Sequence, residues 1–433
     1  MTAFREDPMT VPASASAVPA PAGSAQHNDS PAALKQKLRR AERVRKLRAM
    51  GLIAPLFFFL LITFVVPILD MMRRSVHDTE LSTVWPTVTA AMDSWKDRGN
   101  VPDEAVFAAL AKDLRAAGET KTLAVAARRL NYAVDNGRSL VFGTARRLPV
   151  DATNWKETLI GIEPRWGQVA TWNAINQASG PLTTFYLLAA LDREKLADGS
   201  IVKAPEQSSI YVDILERTFT VSLSVTLLCL VLGFPVAYLL ATLPAKHANI
   251  LMILVLLPFW TSLLVRTAAW VVLLQEQGLV NELLLALGII EKPIRMIYNR
   301  IGVYIAMTHI LLPFMILPLY SVMKGIKPHF MRAATSLGAT PTEAFVRVYL
   351  PMTLPGIGAG ALLTFILALG YYITPALVGG AADQMISFFI AFYTSDTVNW
   401  GMASALGAVL LVATLVLYSL YNRLVGISNM RLG

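Results

Sequence analysis

Gly51-Leu-Ile-Ala-Pro-Leu-Phe-Phe-Phe-Leu-Leu-Ile-Thr-Phe-Val-Val-Pro-Ile-Leu69 carries no charged residue. At about 19 residues it approaches the ~20 needed to cross a hydrocarbon core as a helix. Lys35 to Arg48, just before it, holds eight basic residues and one acid, Glu42. The run exits into Asp70-Met-Met-Arg-Arg74 rather than the small residues of a cleavage site, so it reads as an uncleaved anchor. The basic side then stays in the cytoplasm. The basic segment is a positive-inside determinant in contact with membrane lipid. It is not a nucleic-acid site, because no aromatic platform accompanies it. Residues 1–34 are rich in Ala, Pro and Ser with no apolar period. Residues 1–49 are therefore expected to form a disordered basic cytoplasmic tail, with the first transmembrane helix at 50–69.

Five further apolar runs lie at about 219–241, 250–274, 301–323, 356–378 and 401–422. The charge distribution agrees. Of the chain's 67 Lys, Arg, Asp and Glu residues, 47 lie in 1–210 and 20 in 211–433. Such scarcity fits a chain whose solvent is lipid, where a charge at mid-bilayer costs several kcal/mol. The expected fold is an all-α membrane protein with six transmembrane helices and a helix-rich extracytoplasmic insertion, 70–210, between the first and second. Residues 211–425 form the membrane core with five helices, and 426–433 a cytoplasmic C-terminal tail. Alternation places both termini in the cytoplasm and the loops 275–300 and 379–400 outside. The basic residues Lys292, Arg295 and Arg300 weaken the sign contrast at the first of these loops.

The insertion has local helix signals. Pro102 and the acids Asp103 and Glu104 open one helix, Val106, Phe107, Leu110 and Leu114 give it an apolar face, and Gly118 ends it. Leu123–Asn136 and Trp166–Asn176 read similarly. The segment is large enough for its own core. Cys229, the one cysteine, excludes an intrachain disulfide. No metal-ligand pattern or catalytic constellation is visible, so no metal site and no catalytic residue are expected.

Lys324-Gly-Ile-Lys-Pro-His-Phe-Met-Arg-Ala-Ala-Thr-Ser-Leu-Gly-Ala-Thr-Pro-Thr-Glu-Ala-Phe-Val-Arg-Val-Tyr-Leu-Pro351 is the most informative loop. Pro328 sits at the start of one short helix, and Gly338 fits the left-handed position that stops it. Thr340-Pro341-Thr342-Glu343 forms a capping box for a second helix running toward Pro351. The result is a rigid helix–turn–helix whose small residues admit close approach by another protein.

Arg332-Ala333-Ala334, three residues, Gly338, nine residues, then Val348-Tyr349-Leu350-Pro351 resembles the EAA loop of ABC-importer permeases, Glu-Ala-Ala-x3-Gly-x9-Ile-x-Leu-Pro. Arg332 stands at the Glu position and Val348 at the Ile position. The resemblance covers about Tyr211 to Arg423. Leu257-Pro-Phe-Trp-Thr-Ser-Leu-Leu-Val-Arg-Thr-Ala-Ala-Trp270, Gly278-Leu-Val-Asn-Glu-Leu-Leu-Leu285, Leu377-Val-Gly-Gly380 and Asn399-Trp-Gly-Met-Ala-Ser404 look like the spermidine/putrescine branch. The resemblance implies a multi-pass permease subunit of the bacterial inner membrane, not an enzyme, forming half of a pathway for polyamines or related organic amines. Implied partners are a cytoplasmic ABC ATPase dimer, a second permease subunit and a periplasmic solute-binding protein; nucleic acid is not among them. The sequence contains no Gly-Lys dipeptide and so no P-loop. No cofactor is expected on this chain, ATP being bound by the partner ATPase. Arg332, Ala333, Ala334, Gly338, Val348, Leu350 and Pro351 would form the ATPase-coupling loop.

Arg266 is the one charge well inside a span, where ionisable groups are functional candidates by default. It is read as snorkelling, as stacking on Trp270, or as making an interhelical hydrogen bond, with direct substrate binding a further reading that is electrostatically awkward for a polycation. Pro258, Pro313, Pro318 and Pro375 are candidate hinges or ordinary membrane-helix prolines. Substrate-contacting residues are not visible. Two other function classes stand beside the permease. A secondary transporter would show intramembrane acids and an inverted repeat, and a protein working through its 70–210 domain would show a constellation there. The insertion itself reads either as a docking surface for a binding protein or as a spacer.

Overall fold

A computed structural model describes residues 31–425. These residues fall into two units that divide in sequence between Pro67 and Ile68. The expected disorder of 1–30 and the tail at 426–433 lie outside the described residues.

In the first unit a helix begins at Pro31 and runs to Leu60, continuing through a π-helical turn at Leu61–Val65. This corrects the expectation of disorder up to residue 49. The 32–48 stretch is built almost wholly from Ala, Leu, Lys, Arg, Gln and Glu, all strong helix formers. It also joins the apolar run without a breaker, so the helix propagates outward from it. The membrane-length helix spans Glu42–Arg74 rather than 50–69.

The rest of the chain is almost entirely helical. Its described strands are one antiparallel hairpin, Arg193–Lys195 with Ile201–Lys203, in which Glu194 faces Val202. The long apolar helices are Glu42–Arg74, Tyr211–Thr242, Arg300–Gly325, Pro341–Gly370 and Trp400–Arg423. A broken pair, Ala245–Trp260 and Leu263–Leu273, bends by 99° and makes a sixth if counted as one span. The chain is an all-α membrane protein, with two departures from the hydropathy reading. The 250–274 run is not one helix: Pro258 lies in a 3-10 turn, Leu257–Trp260, and the Ser262 hydroxyl accepts from Val265 N–H to start a new helix. The 356–378 run begins instead at Pro341 and stops at Gly370, with Ile373–Val378 a separate short helix. Ile386–Ser395, in the expected outer loop, is also helical.

The Tyr211, Arg300 and Pro341 helices share a core of Val225, Cys229, Met307, Leu311, Met315, Leu319 and Ala368. Close approach needs small residues where hydrocarbon gives no driving force for association. A Cβ on Gly360 would meet Met315 Sδ at 2.9 Å and its carbonyl oxygen at 3.0 Å.

Residues 75–190 form a second core around Trp85, Phe107, Leu110, Leu114, Trp166 and Trp172, every one essentially inaccessible. The apolar face of the Glu104–Glu119 helix supplies Val106, Phe107, Leu110 and Leu114, as its spacing predicted. The second expected helix ends at Asn131 rather than Asn136. Asn136 adopts φ +54° and starts a new helix, Gly137–Arg147. The Trp166–Asn176 stretch is a 3-10 turn, Pro164–Gly167, followed by a helix, Val169–Gln177. Several polar groups in the core are paired, although the indole N–H of Trp85 finds no partner among the described residues. Asp113 accepts from Val88 N–H at 2.7 Å, and Trp166 donates its indole N–H to Thr144 at 2.9 Å.

This domain and the segment just after it are held to the membrane helices at two points. Asp192, buried, accepts from the N–H groups of Tyr211 and Val212 at 3.0 and 2.9 Å, capping the Tyr211 helix. Tyr186 packs with Met402, Ala405 and Leu406 of the Trp400 helix. Its hydroxyl donates to Asp78, which also binds the guanidinium of Arg129. Arg129 lies over the rings of Phe185 and Tyr186. Burial pushes the Tyr186 phenol well above its usual range, so it remains a donor.

Candidate functional site

The site is the segment 324–351 at the far end of the Tyr211 helix from the 75–190 domain. The His329–Ser336 helix follows Pro328. It ends in a Schellman turn: Gly338 N–H donates to Thr335 and Ala339 N–H to Ala334, at 3.0 and 3.1 Å. Gly338 takes φ +93°, which only glycine adopts without strain. The next helix starts at Pro341. Thr340 accepts from Glu343 N–H, and the Glu343 carboxylate accepts from Thr340 N–H, the capping box expected from the sequence.

The structure then departs from that reading. The second helix does not stop at Pro351 but continues to Gly370 through a π-helical turn, Phe345–Tyr349. Pro351 has no N–H to give and its ring crowds the carbonyl four residues back. The extra residue in the π turn relieves that crowding. The Leu61–Val65 π turn lies in the same relation to Pro67.

The turn also aims two rings inward. Phe345 and Tyr349 stack at 5.5 Å, with Phe234 and Tyr238 of the Tyr211 helix edge-on to them. Met331 and Ile326 pack beside this cluster, and Lys324 donates to the Ala241 carbonyl at 3.4 Å. The helix–turn–helix is thus packed against the end of the Tyr211 helix. Phe234, Tyr238, Phe345 and Tyr349 were not singled out from the sequence, though each pair has the i, i+4 spacing that places it on one helical face.

Residues 230–432 match the family described as binding-protein-dependent transport system inner membrane component. Over 214 residues the chain is 36% identical to the spermidine/putrescine transport system permease protein PotB of Escherichia coli (strain K12), covering 49% of this chain and 78% of that protein. The chain belongs to this permease family. It is 35% identical over 181 residues to the inner membrane ABC transporter permease protein YdcU of Escherichia coli (strain K12), 39% of this chain and 57% of that one. A chain of a bacterial alginate ABC transporter overlaps 50% of it at 21% identity and TM-score 0.41. The family assignment rests on the sequence relatives. The protein is therefore an inner-membrane, multi-pass ABC-importer permease and a transport subunit rather than an enzyme.

In this permease the seven expected loop residues fall into two groups. Arg332, Ala333, Gly338 and Pro351 are exposed; Ala334, Val348 and Leu350 are half-buried against the helices beneath. Arg266 is half-buried on the Leu263–Leu273 helix, and its Nε finds no hydrogen-bond partner among the described residues. Trp270 does not take its guanidinium in a cation–π contact there. The indole N–H of Trp270 instead donates to His309 Nδ1 at 3.1 Å. Pro258 marks the break in the third apolar run. Pro313 and Pro318 lie within the Arg300 helix, and Pro375 within Ile373–Val378.

Proposed function

We propose that this permease forms half of the pathway for polyamines or related organic amines, driven by ATP hydrolysis on a separate cytoplasmic ATPase dimer. A second permease would complete the pathway, and a periplasmic solute-binding protein would deliver the substrate. The observation that carries the reading is the identity to PotB proteins over the membrane core. The exposed, rigidly capped 324–351 segment supports the coupling role. Arg332, Ala333, Ala334, Gly338, Val348, Leu350 and Pro351 transmit ATPase closure to the Tyr211 and Pro341 helices, which exchange between inward- and outward-open arrangements. Both termini and 324–351 face the cytoplasm; 70–210 lies outside, with its fixed seat on the membrane helices suiting it to binding-protein docking. Deleting the gene in its native host should abolish high-affinity uptake of labelled putrescine or spermidine, restored by a plasmid copy. Unchanged uptake of both amines would overturn the substrate reading.

A further inference from the structure

Two helices break within apolar runs, at Thr261–Ser262 and at Tyr371–Tyr372. The two breaks are joined. Thr267 on the Leu263–Leu273 helix and Thr374 on the Ile373–Val378 helix, both fully buried, share a hydroxyl hydrogen bond of 3.1 Å. Broken backbone at membrane depth is tolerated inside protein or along a water-filled cavity, never against lipid. Arg266, Trp270, His309 and Tyr371 gather beside this junction, each half-buried. Arg266 lies one turn before Trp270, whose indole N–H donates to His309 Nδ1 at 3.1 Å. The Arg266 charge reaches both His309 and Tyr371. An imidazole that accepts at Nδ1 is neutral and carries its proton on Nε2, which makes Nε2 a donor. Arg266 Nε is buried without a partner, and among the described residues the guanidinium has no carboxylate within salt-bridge distance. Arg266 is also the one Lys, Arg, Asp or Glu in the six apolar runs. The cluster thus holds an unpaired cation, hydrogen-bond donors and an indole face, with no carboxylate in the runs that build it.

We propose that Arg266, His309 and Tyr371 form an anion site that takes the carboxylate of an amine-bearing acid, with the Trp270 ring beside its ammonium end. The proposal rests on the amine-importer reading given above and narrows its substrate class. A guanidinium pairs with a carboxylate through two parallel N–H···O bonds. Arg266 lies in the first turn of the Leu263–Leu273 helix, where the helix dipole favours the same sign of ligand. Helix starts of this kind inside a membrane meet the anionic group of a substrate. A diamine would bring two positive charges up to an unpaired guanidinium in a medium that screens them poorly. A zwitterion brings no net charge and neutralises the arginine, while its ammonium end can sit over an indole face. The site therefore admits amine-bearing acids more readily than bare diamines.

The test uses the tagged permease complex with its ATPase, purified from the native host into nanodiscs without binding protein, so that the permease alone selects. The probe is labelled δ-aminovalerate, whose carboxyl carbon stands where putrescine has its second nitrogen. Wild type should bind it saturably, and unlabelled valerate should displace it better than pentylamine or putrescine does. Arg266→Gln should weaken binding about tenfold or more, the loss expected for a hydrogen bond to a charged group, with the complex still assembled. Arg266→Lys should fall between, because an ammonium lacks the planar fork. The wild-type competition decides independently of any variant. No saturable binding, or displacement by pentylamine and not by valerate, would overturn the proposal. So would equal binding by wild type and Arg266→Gln. Loss of the second permease from Arg266→Gln, with no binding in wild type, would show that the arginine pairs across the permease interface instead, and would overturn it too. ATP-driven putrescine uptake with binding protein added is followed in proteoliposomes of the same complex. Its absence would strike the amine reading, whereas uptake without carboxylate binding would strike this proposal alone.

Discussion

At the scale of single residues, Gly338 separates backbone shape from side-chain contact. Nothing lies within 4 Å of where its Cβ would be, so any cost of substitution comes from φ +93°. Asn tolerates the left-handed region best after Gly. Gly338→Asn should keep most ATPase stimulation, Gly338→Ala less at a cost of about 1–2 kcal/mol to the turn, and Gly338→Val least. Stimulated ATP hydrolysis by the assembled complex measures the order, and full activity in Gly338→Val would contradict the turn's role. The Asp78–Arg129–Tyr186 knot makes a second prediction. Asp78 and Arg129 side chains are 2% and 1% accessible. Removing one charge of such a pair leaves the other buried alone, costing about 3–5 kcal/mol. Tyr186→Phe loses one hydrogen bond, about 1 kcal/mol or somewhat more because the acceptor is charged. Denaturant unfolding of the domain, followed by its tryptophan fluorescence, should rank Arg129→Met well below Tyr186→Phe; equal midpoints would show that the knot contributes little.

At the scale of elements, what was legible in the sequence was what is local. The capping box and the Gly338 stop need only residues three or four apart, and both are present as read. The apolar face of Glu104–Glu119 follows from its spacing. The continuation through Pro351 was not legible, because it depends on a π turn whose rings are held by Phe234 and Tyr238, roughly a hundred residues earlier in the chain. The break at Thr261–Ser262 was hidden by hydropathy that runs on through it, although Ser262 before Leu263 is an N-cap signal. Ile386–Ser395 is too short to register as a span. Asp192 left no trace in the local pattern either, since its cap joins a residue just past the domain to a membrane helix that starts 19 residues later. The junction of the domain with the Trp400 helix has its own test. A Cβ on Gly401 would stand 2.4 Å from the Tyr186 ring, and Tyr186 is 4% accessible. Met402 packs in the same cluster, so the ring has little room to give. Gly401→Ala should loosen the domain from the Trp400 helix and raise its proteolysis rate in membranes severalfold. Unchanged proteolysis would mean that the ring moves aside at no cost.

At the scale of the whole molecule, the proposed topology puts the 70–210 domain on one side of the membrane and the helix–turn–helix on the other. Gly118 is exposed and has open space around its Cβ position, so Gly118→Cys in a Cys229→Ser background should label from outside intact spheroplasts; labelling only after permeabilisation would reverse the map. The central claim, that this chain is the membrane half of an ATP-driven amine importer, is tested most directly by reconstitution. The complex purified on the tagged permease is placed in proteoliposomes, with its binding protein and labelled spermidine or putrescine on one side and ATP on the other. The expected result is amine accumulation against its gradient that needs ATP and binding protein together and is lost in Gly338→Val. Accumulation that proceeds without ATP, or ATP hydrolysis that the loaded binding protein leaves unstimulated, would contradict it.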